Sequence, residues 1–163
     1  MKVTIIDYGL SNLLSVQHAF AHFGAETLLT SKPEDVLAAD ALVLPGVGAF
    51  QDGMAGLEKL GLVEPIRQKA AAGTPLLGIC LGMQIMVMEY ARNVLGYADA
   101  NSSEFTPEGH HNVIDLMPDQ QGVETKGGTM RLGKYPCTIT PGTKMAECYG
   151  TLNIDERHRH RYE

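Results

Sequence analysis

The chain has 163 residues, of which 44% are hydrophobic, so it is long enough for one domain with its own apolar core. Its net charge of -6 and pI near 5.5 argue against nucleic-acid binding, which needs a basic surface. The three cysteines form no CxxC pattern, and the N-terminal apolar run is too short for a signal peptide or membrane span. We therefore expect a cytoplasmic protein with no disulfide framework, no metal site, no cofactor and no membrane segment.

The first half of the chain alternates predicted strands with predicted helices. Apolar, β-branched segments predict buried parallel strands at 2–7, 26–30, 41–44 and 76–79. Helical spacing predicts a helix that Ser11 or Asn12 caps and Gly24 ends, then helices at 32–40, 54–60, 63–72 and 82–95. This alternation predicts an α/β fold with an open, mostly parallel sheet and helices on both faces, a flavodoxin-like architecture.

The amino-acid composition of the chain changes after about Asn93. A polar, turn-rich stretch predicts a long surface loop, and a short helix is expected at "KMAECYG" (144–150). Short strands are expected at "VIDLM" (113–117), "GTMRLG" (128–133), "YPCTIT" (135–140) and from about Asp155. We expect these strands to extend the main sheet in antiparallel fashion, within a single domain over residues 1–163.

Three segments follow directly after predicted strands of the sheet. They are "DYGLSN" (7–12), "PGVG" (45–48) and "GICLG" (78–82). In open parallel sheets, ligands bind beyond the carboxyl ends of the strands. The sequence therefore predicts a binding or catalytic site where these segments meet.

The segment "GICLG" has the form Gly-x-nucleophile-x-Gly at a strand-to-helix junction. A nucleophile there must lie on a tight, strained turn, and Gly78 and Gly82 remove side chains that would clash. The dipole of the following helix favours a thiolate at Cys80. The N–H of Leu81 can then face an oxyanion, and the N–H groups of Val47 and Gly48 can converge on the same point.

The alternative is that Cys80 is an ordinary buried core residue, as free cysteines commonly are. The flanking glycines, the junction and the second glycine loop favour the nucleophile. Cys137 and Cys148 lie in strand and helix contexts without such features, so we expect both to be structural.

The segments "PGVGAF" and "GICLGMQ" resemble the oxyanion loop and nucleophile elbow of class I (triad-type) glutamine amidotransferases. Residues 1–84, with "IIDYGLSNLLSV" and "LPGVGAFQDGM", resemble the glutaminase subunit of imidazole glycerol phosphate synthase. Residues 85–163, with "EYAR", "ADANSSEF", "GGTMRLG" and "ERHRHRYE", resemble the glutaminase domain of CTP synthase. The change-over near residues 78–84 suggests a fusion of two relatives.

The resemblance implies a glutaminase mechanism. Cys80 attacks the side-chain amide of L-glutamine, a γ-glutamyl thioester forms, and ammonia passes to a synthase partner. The oxyanion is assigned to Val47, Gly48 and Leu81. Glutamine binding is assigned to Gly46, Gln84, Glu104 and Arg161; a zwitterionic amino acid suits one carboxylate and one guanidinium.

The sequence departs from the family at the catalytic base. The family uses a histidine followed two residues later by a glutamate, and no His-x-Glu occurs in these 163 residues. Loss of a triad base costs several orders of magnitude in rate. We therefore expect a reactive Cys80 with little glutaminase turnover. The expected missing C-terminal strands would leave an apolar edge that a homodimer could cover.

Other functions and partners stay open. The chain could be a non-catalytic flavodoxin-like module or chimeric scaffold that binds a ligand or partner, or a different cysteine hydrolase or thiol-dependent chaperone-like protein. The N-terminal half suggests docking to a (β/α)8-barrel cyclase of histidine biosynthesis, and the C-terminal half suggests a fused CTP-forming domain.

Overall fold

A central parallel sheet contains strands β1 (Lys2–Ile6), β2 (Glu26–Thr30), β3 (Leu42–Gly46) and β4 (Leu76–Cys80), in the order β2-β1-β3-β4. The computed structural model describes residues 2–122, 133–158 and Tyr162. The chain divides into two units between Asn101 and Ser102, and this sheet belongs to the first. No helix in the described ranges is long and apolar enough to cross a bilayer.

Five helices accompany the sheet in the first unit: α1 (Leu13–His22), α2 (Pro33–Leu37), α3 (Phe50–Lys59), α4 (Val63–Ala71) and α5 (Leu81–Asn93). Asn12 is the N-cap of α1, because its side-chain oxygen accepts from the Ser15 N–H at 3.3 Å. Gly24 follows the helix with φ 70°, a conformation that favours glycine. Pro33 begins α2, where its missing N–H costs no helical hydrogen bond.

The helices cover both faces of the sheet. Val43 of β3 clusters with Val3 and Ile5 of β1, and Leu13, Val16 and Phe20 of α1 pack against this cluster. Its neighbour Leu44 points to the opposite face, since side chains alternate along a strand. Leu44 lines an apolar cavity there with residues of α4 and α5. The predicted α/β fold is confirmed.

Two boundaries in the first half differ from the sequence prediction. Strand β3 continues through Pro45 and Gly46, which we had placed in a loop, and Pro45 lies in register with Ile79 of β4. Helix α3 begins at Phe50 rather than Met54. Gly53 lies inside this helix although glycine is a poor helix former, and a β-carbon there would lie 3.1 Å from the side chains of Leu81 and Ile85. Packing against α5 therefore favours glycine inside this helix.

The second unit contains two small sheets. Strands β5 (Asn101–Ser102) and β6 (Asn112–Ile114) form one, and β7 (Gly133–Thr138) and β8 (Asn153–His158) form the other, which is antiparallel. Helix α6 (Lys144–Tyr149) connects β7 to β8; Thr143 caps its start, and Gly150 ends it with φ 64°. A short 3-10 helix spans Pro118–Gln120.

The expectation that these strands extend the main sheet is wrong for the described residues. They hydrogen-bond to each other instead, because each short strand finds a partner close in sequence. The strand predicted at "GTMRLG" lies, except for Gly133, outside the described residues.

Candidate active site

Cys80 lies on a strained turn between β4 and α5. Its backbone has φ 56° and ψ -119°, and it is the one described non-glycine residue with a positive φ. Such a conformation costs a non-glycine residue about 1–3 kcal/mol and persists only where the surrounding structure enforces it. The sharp turn predicted from "GICLG" is therefore present. The side chain is partly exposed, so a reagent or substrate can reach its sulfur.

The two flanking glycines allow the close approach of helix α5 to the sheet. A β-carbon on Gly82 would lie 1.8 Å from the carbonyl oxygen of Leu44, and one on Gly78 would lie 2.7 Å from the Cα of Met83. Both distances are far below van der Waals contact. The predicted requirement for glycine at both positions is confirmed, and it explains how the chain can turn so sharply at Cys80.

Helix α5 begins immediately after Cys80. Leu81 is its first residue, so its N–H has no acceptor within the helix. The positive end of the helix dipole lies beside Cys80, which favours negative charge there. Gln84, one turn further along the same helix, is half-buried.

The end of β3 lies next to the Cys80 turn, because Gly46 is in register with Cys80. Gly48 has φ 102° and open space where a side chain would be, so its backbone is exposed to a ligand. The N–H of Val47 donates to the carbonyl oxygen of Leu10 at 2.8 Å. An oxyanion contact from Val47 would first have to break that bond, which makes Gly48 and Leu81 the better donors.

Tyr8 is a site residue that the sequence analysis did not select. It follows β1 and is 4% exposed, and its hydroxyl is buried without a hydrogen-bond partner among the described residues. A β-carbon on Gly46 would lie 2.2 Å from this hydroxyl oxygen. Burial and, second, the Cys80 thiolate raise the pKa of Tyr8 to about 12. The sequence analysis noted that "DYGLSN" follows a predicted strand, but nothing in this segment indicated that the tyrosine would be buried near Cys80.

Two predicted glutamine-binding residues lie outside the first unit. Glu104 is exposed in the turn after β5, where its N–H donates to Ser102 Oγ at 3.2 Å. Ser103 next to it donates to Asp115, and this hydrogen bond, with one from the Leu116 N–H, holds the pKa of the Asp115 carboxyl below its usual range. Arg161 lies outside the described residues.

Two histidines of α1 and the two further cysteines have ordinary surroundings. His18 and His22 lie on α1, where the His22 ring makes an edge-on contact with Phe23. Cys137 and Cys148, which we expected to be structural, have exposed side chains. Within the described ranges, histidine, cysteine, aspartate and glutamate side chains form no group of three that could hold a metal ion.

Comparison with known proteins identifies the sequence family. The profile described as "Glutamine amidotransferase class-I" matches residues 4–163. A CTP synthase of Dehalococcoides mccartyi is 45% identical over 159 residues, which are 91% of this chain and 28% of that protein. A CTP synthase of Rubrobacter xylanophilus is 57% identical over 122 residues, 75% of this chain and 21% of that protein. The chain thus spans less than a third of the length of these relatives.

Solved structures agree with this result. The glutaminase domain of Trypanosoma brucei CTPS, solved with bound acivicin, has a TM-score of 0.74 and 27% identity; the alignment covers 100% of this chain and 67% of that one. A Thermoplasma acidophilum protein described as a putative GMP synthase subunit shares the fold, with a TM-score of 0.60, 16% identity, and coverage of 100% and 66%. With a profile match over nearly its whole length, the chain belongs to the class I glutamine amidotransferase family.

Proposed function

We propose that this chain carries the nucleophile half of a CTP-synthase-type glutaminase site, with Cys80 as the attacking residue. The strained φ of 56° at Cys80, between two glycines that leave no room for a β-carbon, is the observation that carries this proposal. Backbone strain of this kind is retained where function requires it. The family relationship supports the reaction class, and the geometry supports the choice of Cys80.

The proposed reaction proceeds by acyl transfer. The Cys80 thiolate attacks the side-chain amide carbon of glutamine, and the carbonyl oxygen becomes an oxyanion near the Leu81 and Gly48 N–H groups. The C–N bond then breaks, the nitrogen takes up a proton, and ammonia leaves. Water attacks the γ-glutamyl thioester, which releases glutamate and restores the cysteine.

Recognition of the amino acid is assigned to Gln84 and Gly46 near this turn and, by the family resemblance, to Glu104 and Arg161. Gln84 lies one helical turn after Cys80, and the backbone of Gly46 adjoins the same turn. Glu104 would bind the α-amino group and Arg161 the α-carboxylate of glutamine. Opposite charges at two points suit a zwitterion, and the pair would select an amino acid over a simple amide.

Turnover by this chain alone is proposed to be low. A cysteine amidase needs a base that takes and returns a proton, and the 163 residues contain no His-x-Glu segment. Without a base, the oxyanion donors and binding groups leave only a residual rate enhancement. Ammonia release from L-glutamine, measured against the Cys80→Ala variant, tests this directly. A rate typical of intact glutaminases would contradict it.

Covalent labelling tests the nucleophile independently of turnover. A diazo-ketone analogue of glutamine should form one covalent adduct at Cys80. Excess L-glutamine should protect Cys80 from this reaction, while D-glutamine should not. Cys80→Ala should remain unlabelled, and the exposed Cys137 and Cys148 serve as internal controls for non-selective alkylation. Equal labelling of all three cysteines would favour the non-catalytic, flavodoxin-like binding module instead.

The partner is proposed to be a CTP-forming synthase domain. Alignments to CTP synthases cover up to 99% of the chain, including the first half. The segments "IIDYGLSNLLSV" and "LPGVGAFQDGM" favour a second candidate, a cyclase barrel of histidine biosynthesis, and with it a fusion seam near residues 78–84. Pull-down of purified chain against each synthase separately distinguishes the two, since one should retain the chain at much lower concentration.

A further inference from the structure

The Tyr8 hydroxyl combines three unusual properties. It is attached to a side chain that is only 4% exposed, it has no hydrogen-bond partner among the described residues, and it lies at the carboxyl end of the sheet. A buried donor without an acceptor normally costs free energy. Such a group needs an explanation, and one explanation is a charge or ligand that engages it in another state of the protein.

The surroundings of Tyr8 direct its hydroxyl toward the Cys80 turn. The hydroxyl occupies the space beside Gly46, where a β-carbon would lie 2.2 Å from it and 2.9 Å from the β-carbon of Leu81. Gly46 is in turn the register partner of Cys80. On the other side, helix α3 approaches closely enough that a β-carbon on Gly56 would lie 3.2 Å from the Tyr8 ring. The ring is therefore held between α3 and the end of β3.

We propose that Tyr8 is a positioning residue of this site, whose buried hydroxyl stabilises the negative charge that Cys80 acquires when it becomes a thiolate. The inference rests on the nucleophilic role proposed for Cys80. In the thiol state the hydroxyl has no acceptor, and deprotonation of Cys80 supplies an anion nearby. In a partly buried site, a donor of this kind acts through a low effective dielectric and is correspondingly stronger.

The ionisation of Tyr8 is consistent with a donor role. Burial, followed by the Cys80 thiolate, raises the pKa of Tyr8 to about 12. The phenol therefore keeps its proton over the whole range in which a cysteine titrates. It can donate to the thiolate but cannot compete with it for a charge.

Other titratable groups adjoin Tyr8 and must be held constant in a test. Asp7 precedes it and accepts from the Gly9 N–H at 3.1 Å. The packed helices carry the remaining charged residues: Asp52, Glu58 and Lys59 on α3, and Glu89 and Arg92 on α5. Substitution of Tyr8 by phenylalanine changes none of them, so their effects cancel in a comparison of the two proteins.

The test measures alkylation of Cys80 in a background where Cys137→Ser and Cys148→Ser leave it as the sole thiol. In this background, Tyr8→Phe should slow reaction with iodoacetamide near neutral pH by roughly tenfold or more, the effect of one hydrogen bond to a charged group. At alkaline pH, where accessible thiols are largely ionised, the two rates should converge. Tyr90→Phe, which alters an exposed ring on α5, should match the parent throughout.

Two results would overturn the proposal. One is an unchanged rate in Tyr8→Phe near neutral pH, and the other is an equal slowing at every pH, which would indicate lost access rather than lost stabilisation. A second measurement covers the case in which Tyr8→Phe does not fold. Because coupling is reciprocal, Cys80→Ala should make Tyr8 ionise at lower pH, as followed by NMR of tyrosine labelled with 13C at the ζ carbon. An unchanged Tyr8 titration would also contradict the proposal.

These readouts use no glutamine. If Cys80 alkylates with the expected Tyr8 dependence but no glutamine analogue labels it, the proposed function fails and the role of Tyr8 stands. If the analogue labels Cys80 and Tyr8→Phe behaves as the parent, the reverse holds.

Discussion

Gly82 lies so close to Leu44 that a β-carbon on it would be 1.8 Å from the Leu44 carbonyl oxygen. The obstacle is backbone in the central strand β3, which cannot move without disturbing its pairing to β1 and β4. Gly82→Ala should therefore lower the free energy of unfolding by about 3 kcal/mol or more, or prevent folding. Denaturant unfolding followed by circular dichroism measures the change.

Gly53→Ala is the matched control for this substitution. Its added β-carbon would meet only the ends of the Ile85 and Leu81 side chains, at 3.1 Å, and these can shift. Alanine is also the better residue within a helix. A loss of stability in Gly53→Ala as large as that in Gly82→Ala would show that the Leu44 carbonyl is not the cause.

The strain at Cys80 predicts that the protein gains stability when the nucleophile is replaced by glycine. With φ at 56°, a non-glycine residue stores about 1–3 kcal/mol, while glycine loses about 0.5–1 kcal/mol through greater freedom in the unfolded chain. Cys80→Gly should thus be more stable than Cys80→Ala by about 1 kcal/mol, although both lack the thiol. Thermal and urea unfolding of this pair give the answer, and a Cys80→Gly variant less stable than Cys80→Ala would mean that the turn is not strained.

The sequence was sufficient for those features that depend on local backbone chemistry. The glycines at 78 and 82 indicated a tight strand-to-helix turn, and the pair Ser11 and Asn12 indicated the start of α1; the turn is present and Asn12 is the N-cap. It was insufficient where tertiary contacts override local preference. Pro45 suggested a loop, but β3 continues through it. The acceptor of the Val47 N–H is the Leu10 carbonyl, 37 positions away in a separate segment, and no local pattern specifies such a pair.

The burial of the Tyr8 hydroxyl could not be predicted from the sequence for a related reason. A tyrosine after a strand is ordinary, and only the space left by Gly46 allows its hydroxyl to be buried there. The buried hydroxyl of Tyr8 accounts for glycine at position 46, and Gly46 accounts for the space that the hydroxyl fills. The two residues come together because β1 and β3 are neighbours in the sheet, although a helix, a strand and another helix separate them in sequence.

Tyr8 also predicts how stability depends on pH under alkaline conditions. Its pKa is about 12 in the folded protein, above the value of 10.0 expected when unfolded, so the folded state holds the proton more tightly. Its contribution is therefore complete below pH 10 and is lost as the pH rises toward 12, by roughly 2–3 kcal/mol in total. Tyr8→Phe should show a shallower decline than the parent over this window, as measured by urea unfolding at several pH values. Tyr90→Phe should retain the parent's slope; a parental slope in Tyr8→Phe would contradict the assignment.

The edge of strand β4 that faces away from β3 predicts self-association of the chain. Among the described residues, β4 pairs only with β3, and Leu77 is 51% exposed. An apolar cavity of about 730 Å³ lies between α4, α5 and the sheet, and α5 exposes Tyr90 and Val94 nearby. Within the described part of the chain this edge has no strand partner, so it is a template for pairing, and a second copy offers an identical edge. Sedimentation equilibrium should show a concentration-dependent dimer.

A charge on this edge should distinguish pairing through β4 from non-specific association. Leu77→Lys places an ammonium group where a second strand would pair, so it should shift the equilibrium to monomer. Leu14→Lys makes the same change at a residue that is 63% exposed but lies on helix α1 instead of on strand β4, and it should dimerise as the parent does. If both variants are monomeric, association follows overall charge; if both remain dimeric, the contact lies elsewhere. Only a difference between the two assigns the dimer to β4, because that edge is what the two substitutions do not share.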